Sequence, residues 1–160
     1  PRPPWTPPRQ TPIARAIGRG FGLVPDECFS LALLHDAGKL IVFDVIGALR
    51  HETRRDVDVR KSVVSRVLKD LHEPLGGIAV AHWGLGESVA ASISTHHRNP
   101  VPTEQNRMSE VLFIAERAEH ALSGVIPRDV AAWWEEGAIS GDAVRVEELI
   151  SAYSASELAA

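Results

Sequence analysis

The chain has 160 residues, 44% of them hydrophobic, and a formal net charge of −4 at pH 7. This length and apolar content suffice for one hydrophobic core, so we expect a globular domain. Lys and Arg are interspersed with Asp and Glu, which predicts no basic surface able to neutralise a phosphate backbone. Nucleic acid is therefore not expected as a partner.

Cysteine usage and apolar segments bear on the compartment. The only cysteine, Cys28, lies in an apolar stretch, which favours a small buried residue in a reducing, cytoplasmic environment. The longest apolar run, residues 29–49, is interrupted by charged residues and glycine, which argues against a membrane span. The N-terminus has neither the apolar core of a signal peptide nor an initiator Met, and we expect a piece of a longer cytoplasmic protein.

The N-terminal segment is rich in proline. Six of the 11 prolines lie within residues 1–12, and proline removes backbone donors and restricts φ. We therefore predict a linker over residues 1–12. A polyproline ligand for another domain is the alternative.

Beyond the linker the apolar spacing is helical almost throughout, and Ala, Leu, Glu and Arg are frequent. The predicted fold class is all-α, an irregular helical bundle over residues 13–160. Pro25 and Pro127 suit first helical turns, and Gly38, Gly84 and Gly124 suit helix ends. The predicted helices are 13–22, 25–36, 39–50, 57–71, 74–83, 87–97, 107–123, 127–136 and 142–153.

Two helical stripes end in histidine. Leu31, Leu34 and His35 share one face of a helix, and Asp36 follows. A single buried histidine is more often a hydrogen-bonded core residue than a ligand, so both interpretations stay open at this point. The pattern recurs, however, in a second stripe at helical spacing, formed by Val89, Ile93, His96 and His97.

Further nitrogen and oxygen ligands lie elsewhere in the chain. His72 precedes Pro74, and Glu116 lies on the helix that carries Leu112 and Phe113. A two-metal centre would be wide enough to use adjacent histidines, and a helical bundle can build one from inward side chains. Imidazoles and carboxylates together suit Fe, Mn, Zn, Co or Ni better than Ca. The alternative for Glu116 is a solvated pair with His120 one turn later.

Four segments in order carry a family resemblance: LLHDAGKL, HEPLGGIAVAHWGL, SISTHHRNP and LFIAERAEHAL. Their order and spacing are similar to the signature of the HD superfamily, nearest to HDOD signalling domains and the related HD-GYP phosphodiesterases. The resemblance covers roughly residues 13–122 and implies an HD-type helical bundle. It also implies a set of metal ligands, with Asp36 bridging, and Lys39 near a substrate phosphate. That set is His35, Asp36, His72, His96 and His97.

The chain departs from the HD-GYP pattern in three ways. No His or Glu precedes Ile13, where an upstream metal ligand is expected. Glu116 replaces a late Asp, and RNPVP follows His97 without the Gly-Tyr-Pro motif that names those enzymes. HDOD domains usually carry an additional helical half before the HD-like half, so we expect either that a longer chain supplies that half or that this is a compact HD relative.

These observations support two hypotheses about function. The favoured one is a regulatory signalling domain that acts through contacts with other signalling proteins, or with domains of a longer chain, without a cofactor and without turnover. The alternative is a phosphohydrolase acting on a nucleotide or cyclic nucleotide through a divalent transition metal, with Lys39 as catalytic residue and Glu116 as a sixth ligand. His51 and His82 are expected to be structural or exposed.

Overall fold

A computed structural model describes residues 8–53, 60–98, 107–137, 139 and 143–158, and in these ranges the chain contains helices and no strand. The predicted all-α fold class is therefore confirmed. The helices are α1 (Gln10–Gly20), α2 (Pro25–Leu34), α3 (Ala37–Thr53), α4 (Lys61–His82), α5 (Glu87–Ile93), α6 (Arg107–Leu122), α7 (Val130–Gly137) and α8 (Ala143–Leu158). None of these described helices is long and apolar enough to cross a membrane.

The chain forms two compact units. Unit 1 consists of Pro1–Leu33 and His96–Ala160, and unit 2 is Leu34–Thr95. In unit 1, α1 packs against α6 and α8, and α7 contacts α6 and α8. In unit 2, α4 packs against both α3 and α5. The division of the chain into a linker over residues 1–12 and one helical domain over residues 13–160 stays a prediction.

Helical periodicity builds the core of unit 1. On each of α1, α6 and α8 the buried aliphatic residues recur three or four positions apart, so they line one face of the helix. Burial of these faces against one another supplies the main driving force for packing. The residues are Ile13 and Ile17 on α1, Val111 and Ile114 on α6, and Val146 and Ile150 on α8.

Glycines let the helices of unit 2 approach at backbone distance. A Cβ atom on Gly38 of α3 would overlap the carbonyl oxygen of His72 and would lie 2.8 Å from the amide nitrogen of Gly76. A Cβ atom on Gly77 would lie 2.9 Å from the carbonyl oxygen of Ala90. Because glycine has no side chain at these positions, α4 meets both neighbours closely.

Helix α1 begins earlier than predicted. It starts at Gln10 instead of Ile13, so the last part of the predicted linker is helical. Pro12 is the third residue of this helix, within the first turn, where a backbone N–H would have no intrahelical acceptor. Residues 1–7 of the predicted linker lie outside the described residues.

The predicted break before Pro74 is wrong, since α4 runs without interruption from Lys61 to His82. Pro74 cannot donate to the carbonyl of Asp70, but both residues are exposed, so water can solvate that carbonyl. Packing of α4 against α3 and α5 then holds the helix together in spite of the proline.

Other helix ends moved by a few residues. Helix α5 ends at Ile93, four residues before the predicted end, and α2 ends at Leu34. Gly84 and Gly124 follow α4 and α6 with φ of +74° and +73°, which confirms them as helix ends. Gly38 does not end a helix, because it lies in the first turn of α3, where it is needed for the contact with α4.

Candidate functional site

His35 and Asp36 form the short connection between α2 and α3. Because α2 ends at Leu34 and α3 begins at Ala37, the two side chains stand at adjoining helix ends. The backbone N–H of Lys39 donates to the carbonyl of Asp36 at 2.9 Å, so Asp36 directly precedes the first turn of α3 and accepts a hydrogen bond from it. His35 is buried, and the side chain of Asp36 is 36% exposed.

The Asp36 carboxylate is contacted by the ammonium of Lys39 and by the imidazole of His35. Lys39 Nζ lies 2.7 Å from Oδ2, and His35 Nε2 lies 3.3 Å from the same oxygen. Burial by itself would raise the pKa of Asp36, but the hydrogen bonds and charges of His35 and Lys39 outweigh it and hold the pKa well below its usual range. Asp36 is therefore a carboxylate at every physiological pH.

His72 on α4 is the third candidate metal ligand in this group, after His35 and Asp36. Its Nδ1 lies 2.6 Å from the carbonyl oxygen of Leu68, and since a carbonyl only accepts, Nδ1 carries the proton. In the neutral ring Nε2 then has a lone pair, and it faces Oδ1 of Asp36 at 3.9 Å. The close approach of Gly38 to the backbone of His72 brings the imidazole to this position.

A second polar group lies in unit 1, just after α5. The rings of His96 and His97 have centroids 4.2 Å apart and are tilted by 45°. His96 is buried, whereas the side chain of His97 is 43% exposed, and His97 Nδ1 lies 3.5 Å from Oε1 of Glu116 on α6. A cavity of about 240 Å³ opens here, lined by His96, His97, Phe113, Glu116, Arg117, His120 and Ile126.

Each unit brings some of the predicted site residues together. His35, Asp36, Lys39 and His72 lie together in unit 2, and His96, His97 and Glu116 lie together in unit 1. Their convergence in one pocket stays a prediction. The expected exposure of His51 and His82 is confirmed.

Two features of unit 1 go beyond what the sequence predicted, the position of His120 in the cavity and the burial of Glu110. His120 lies in the cavity, but its Nε2 is 3.9 Å from Glu119, while Glu116 pairs with His97. Glu110 on α6 is fully buried. Its spacing of four residues from the buried Ile114 was the signal that could have identified it as an inward-facing carboxylate.

The group in unit 2 fits a transition metal by donor type, since it offers two imidazoles and one carboxylate. Its geometry also compensates Oδ2 of Asp36 without a metal, because His35 Nε2 and the Lys39 ammonium both approach that oxygen. While Nε2 of His35 donates its proton to the carboxylate, that nitrogen has no lone pair for a metal. A metal bound through His35 Nε2 would require the contact of that nitrogen with Asp36 to be exchanged.

The fold and these side chains together define an all-helical domain with a His-Asp pair at the junction of two helices. A scan against protein-family models matches the HDOD domain over residues 9–99, which is more than half of the chain. The chain belongs to the HDOD domain family. Searches of curated proteins and of solved structures give no significant match.

Proposed function

We propose that this HDOD domain is a regulatory signalling domain that acts through protein contacts and does not turn over a substrate. The observation that carries the proposal is the ion pair between Lys39 Nζ and Asp36 Oδ2 at 2.7 Å. In the catalytic HD pattern that the sequence resembles, this carboxylate bridges metal ions. The resemblance implies that Lys39 lies near a substrate phosphate, whereas here its ammonium contacts the carboxylate of Asp36.

The surroundings of Asp36 support the same proposal. A partly buried carboxylate is stable when donors and opposite charges compensate for the lost water, and His35 and Lys39 provide both. The lysine is three residues after the aspartate, within the first turn of α3, so the pair forms locally. The His-Asp pair then has a structural role, since its contacts stabilise the N-terminal end of α3.

A metal-dependent phosphohydrolase is the second candidate, and one contact favours it. His72 Nε2 faces Asp36 Oδ1 at 3.9 Å, and two acceptors face one another stably when a proton or a cation lies between them. His35, Asp36 and His72 would hold the ion within unit 2, and the ion would supply Lewis-acid chemistry for phosphoester hydrolysis. Lys39 would leave Asp36 and stabilise charge on the phosphate.

Metal content and turnover separate the two candidates. The protein is purified without chelator and without a metal-affinity step, and its Mn, Fe, Co, Ni and Zn are measured by elemental analysis. Phosphodiesterase activity on cyclic nucleotides is then assayed with added Mn²⁺ or Fe²⁺. We expect substoichiometric metal, no turnover above the buffer, and no change in melting temperature with chelator.

Matched variants test where any metal binds. Asp36→Asn keeps the size of the side chain and removes its charge, and His82→Gln changes an exposed imidazole on the same helix as His72. If the wild type retained stoichiometric metal that Asp36→Asn lost and His82→Gln kept, and if it hydrolysed a cyclic nucleotide, the phosphohydrolase candidate would replace our proposal.

A further inference from the structure

Unit 2 exposes an unusual number of large apolar side chains on α3 and α4. Ile78 on α4 is 66% exposed and Leu49 on α3 is 54% exposed, although both are large aliphatic residues. We call this surface the apolar α3/α4 face. It consists of Val45, Leu49, Val63, Leu71 and Ile78. Apolar patches of more than a few hundred Å² on a monomer usually mark an interaction site.

The face contains a groove along the two helices. A cavity of about 440 Å³ lies between α3 and α4, and among the residues that the structure describes Arg50 is the only charged one that lines it. The other lining residues are Val, Leu and Ile from both helices. The shape and the aliphatic lining match what the apolar side of another helix requires.

The spacing along α4 shows which kind of helix fits. Val64, Val67, Leu71, Ile78 and Ala81 repeat alternately three and four residues apart, with the exposed Pro74 completing the series. A repeat of 3.5 residues is the pattern of a helix that packs lengthwise against a second helix. This stripe spans five turns, so a partner helix of about the same length is needed.

Charges beside the stripe favour a copy of the same chain. Arg66 and Asp70 flank the stripe on α4 and neutralise one another, with Nε and Oδ2 2.6 Å apart. Because this pair carries no net charge, it offers no electrostatic attraction to a strongly acidic or strongly basic partner. In an antiparallel arrangement two copies present both signs to one another, and like charges need not meet.

We propose that the apolar α3/α4 face is the interface of a two-fold symmetric homodimer. Two copies of the α3–α4 pair would form a four-helix arrangement, in which each copy covers the groove of the other. Each face exposes on the order of several hundred Å² of apolar surface, and a stable interface buries roughly 800 Å² per partner when apolar and polar area are counted together. The interface is independent of the His-Asp pair and goes beyond the proposed regulatory function.

Oligomeric mass and a charge substitution test the proposal. Light scattering after size exclusion, over a range of protein concentrations, is expected to give twice the chain mass of 17.4 kDa. Ile78→Glu places a charge in the interface and should weaken the dimer by about 30-fold or more, the loss typical of a central interface residue. Val125→Glu is the matched control, because Val125 is 69% exposed and lies in unit 1.

Circular dichroism shows whether each variant folds, and a covalent test covers the case in which Ile78→Glu does not. Leu71→Cys lies near the middle of the stripe, and in a Cys28→Ser background oxidation should link two copies, while Val125→Cys should not. A wild-type protein that is monomeric at every concentration would overturn the proposal and assign the face to a helix of another protein. A folded Ile78→Glu variant as dimeric as wild type would also overturn it.

Discussion

Gly38→Ala tests the contact that brings His72 to Asp36. A Cβ atom at Gly38 would lie 2.7 Å from the carbonyl carbon of His72 and 2.8 Å from the amide nitrogen of Gly76. Carbon atoms in contact normally stand about 3.5–4.0 Å apart, so α3 and α4 would have to separate by roughly 1 Å. Both obstructing groups are backbone, and no side-chain rotation can relieve the overlap.

The expected cost follows from two opposing effects. Overpacking costs about 1–3 kcal/mol and occasionally more when backbone must move. Alanine is favoured over glycine in a helix by about 1 kcal/mol, which offsets part of this cost. Because both obstructing groups are backbone, we take the upper end of the overpacking cost, about 3 kcal/mol, and expect Gly38→Ala to lower the free energy of unfolding by about 2 kcal/mol net. The measurement is urea denaturation followed by circular dichroism.

Gly47→Ala is the matched control on the same helix. A Cβ atom there meets nothing within 4 Å, so only the helix preference remains, and we expect a gain of about 0.5–1 kcal/mol. The opposite signs of the two substitutions are the signature of the close contact. If Gly38→Ala were as stable as Gly47→Ala, α3 would not approach α4 at backbone distance, and our account of how His72 is positioned would be wrong.

Four further predictions concern single residues. Burial raises the pKa of Cys28 to about 11; a thiol reagent at pH 8 should therefore leave it unmodified until urea unfolds the chain. Since the folded pKa is raised, the associated stability is complete below about pH 9 and is lost as the pH rises towards 11. Glu110→Ala should lower the free energy of unfolding by about 1–3 kcal/mol in urea denaturation, because Glu110 is fully buried and its removal leaves the polar groups around it without a hydrogen-bond partner. A change within experimental error would show that Glu110 is not held in the core. Leu31→Ala at a fully buried position should cost about 2–5 kcal/mol, against clearly less for Leu33→Ala, which is 38% exposed; equal losses would contradict the inward orientation of α2. Asp36 has a lowered pKa, so its contribution to stability is present above about pH 4 and is lost as the pH falls further; melting temperatures between pH 5 and 3 should fall more steeply for wild type than for Asp36→Asn, and parallel curves would contradict the ion pair.

Helical periodicity predicted most of the elements, since it depends on local spacing. The inward positions of Leu31 and His35 follow from i, i+4 spacing and are confirmed by their burial. Leu34, placed on the same stripe, is only half-buried. The break expected at Pro74 failed for a different reason. A proline ends a helix when nothing else supports it, and the contacts of α4 with α3 and α5 come from residues distant in sequence.

The sequence predicted which residues belong to the candidate site better than it predicted which of them contact one another. The pairing of Lys39 with Asp36 was in principle readable, because residues three apart meet on a helix. The pairing of Glu116 with His97 was not, since the sequence offered His120 as the nearer choice by the same rule. The burial of Glu110 was missed because charged residues are assigned to the surface by default.

By itself the sequence determined the helical class, the His-Asp pair and the other imidazoles and carboxylates, because spacing and residue type are local properties. The tertiary structure alone decided which of these groups meet. The distance from His72 to Asp36 depends on how closely α3 approaches α4, and that approach is set by the absence of a Cβ atom at Gly38 facing the backbone of a helix more than thirty residues away. The open apolar groove likewise arises only when α3 and α4 pack with some of their aliphatic residues facing one another and the rest facing solvent. Spacing along one helix identifies an apolar face, but which part of that face is covered depends on the partner helix and its distance.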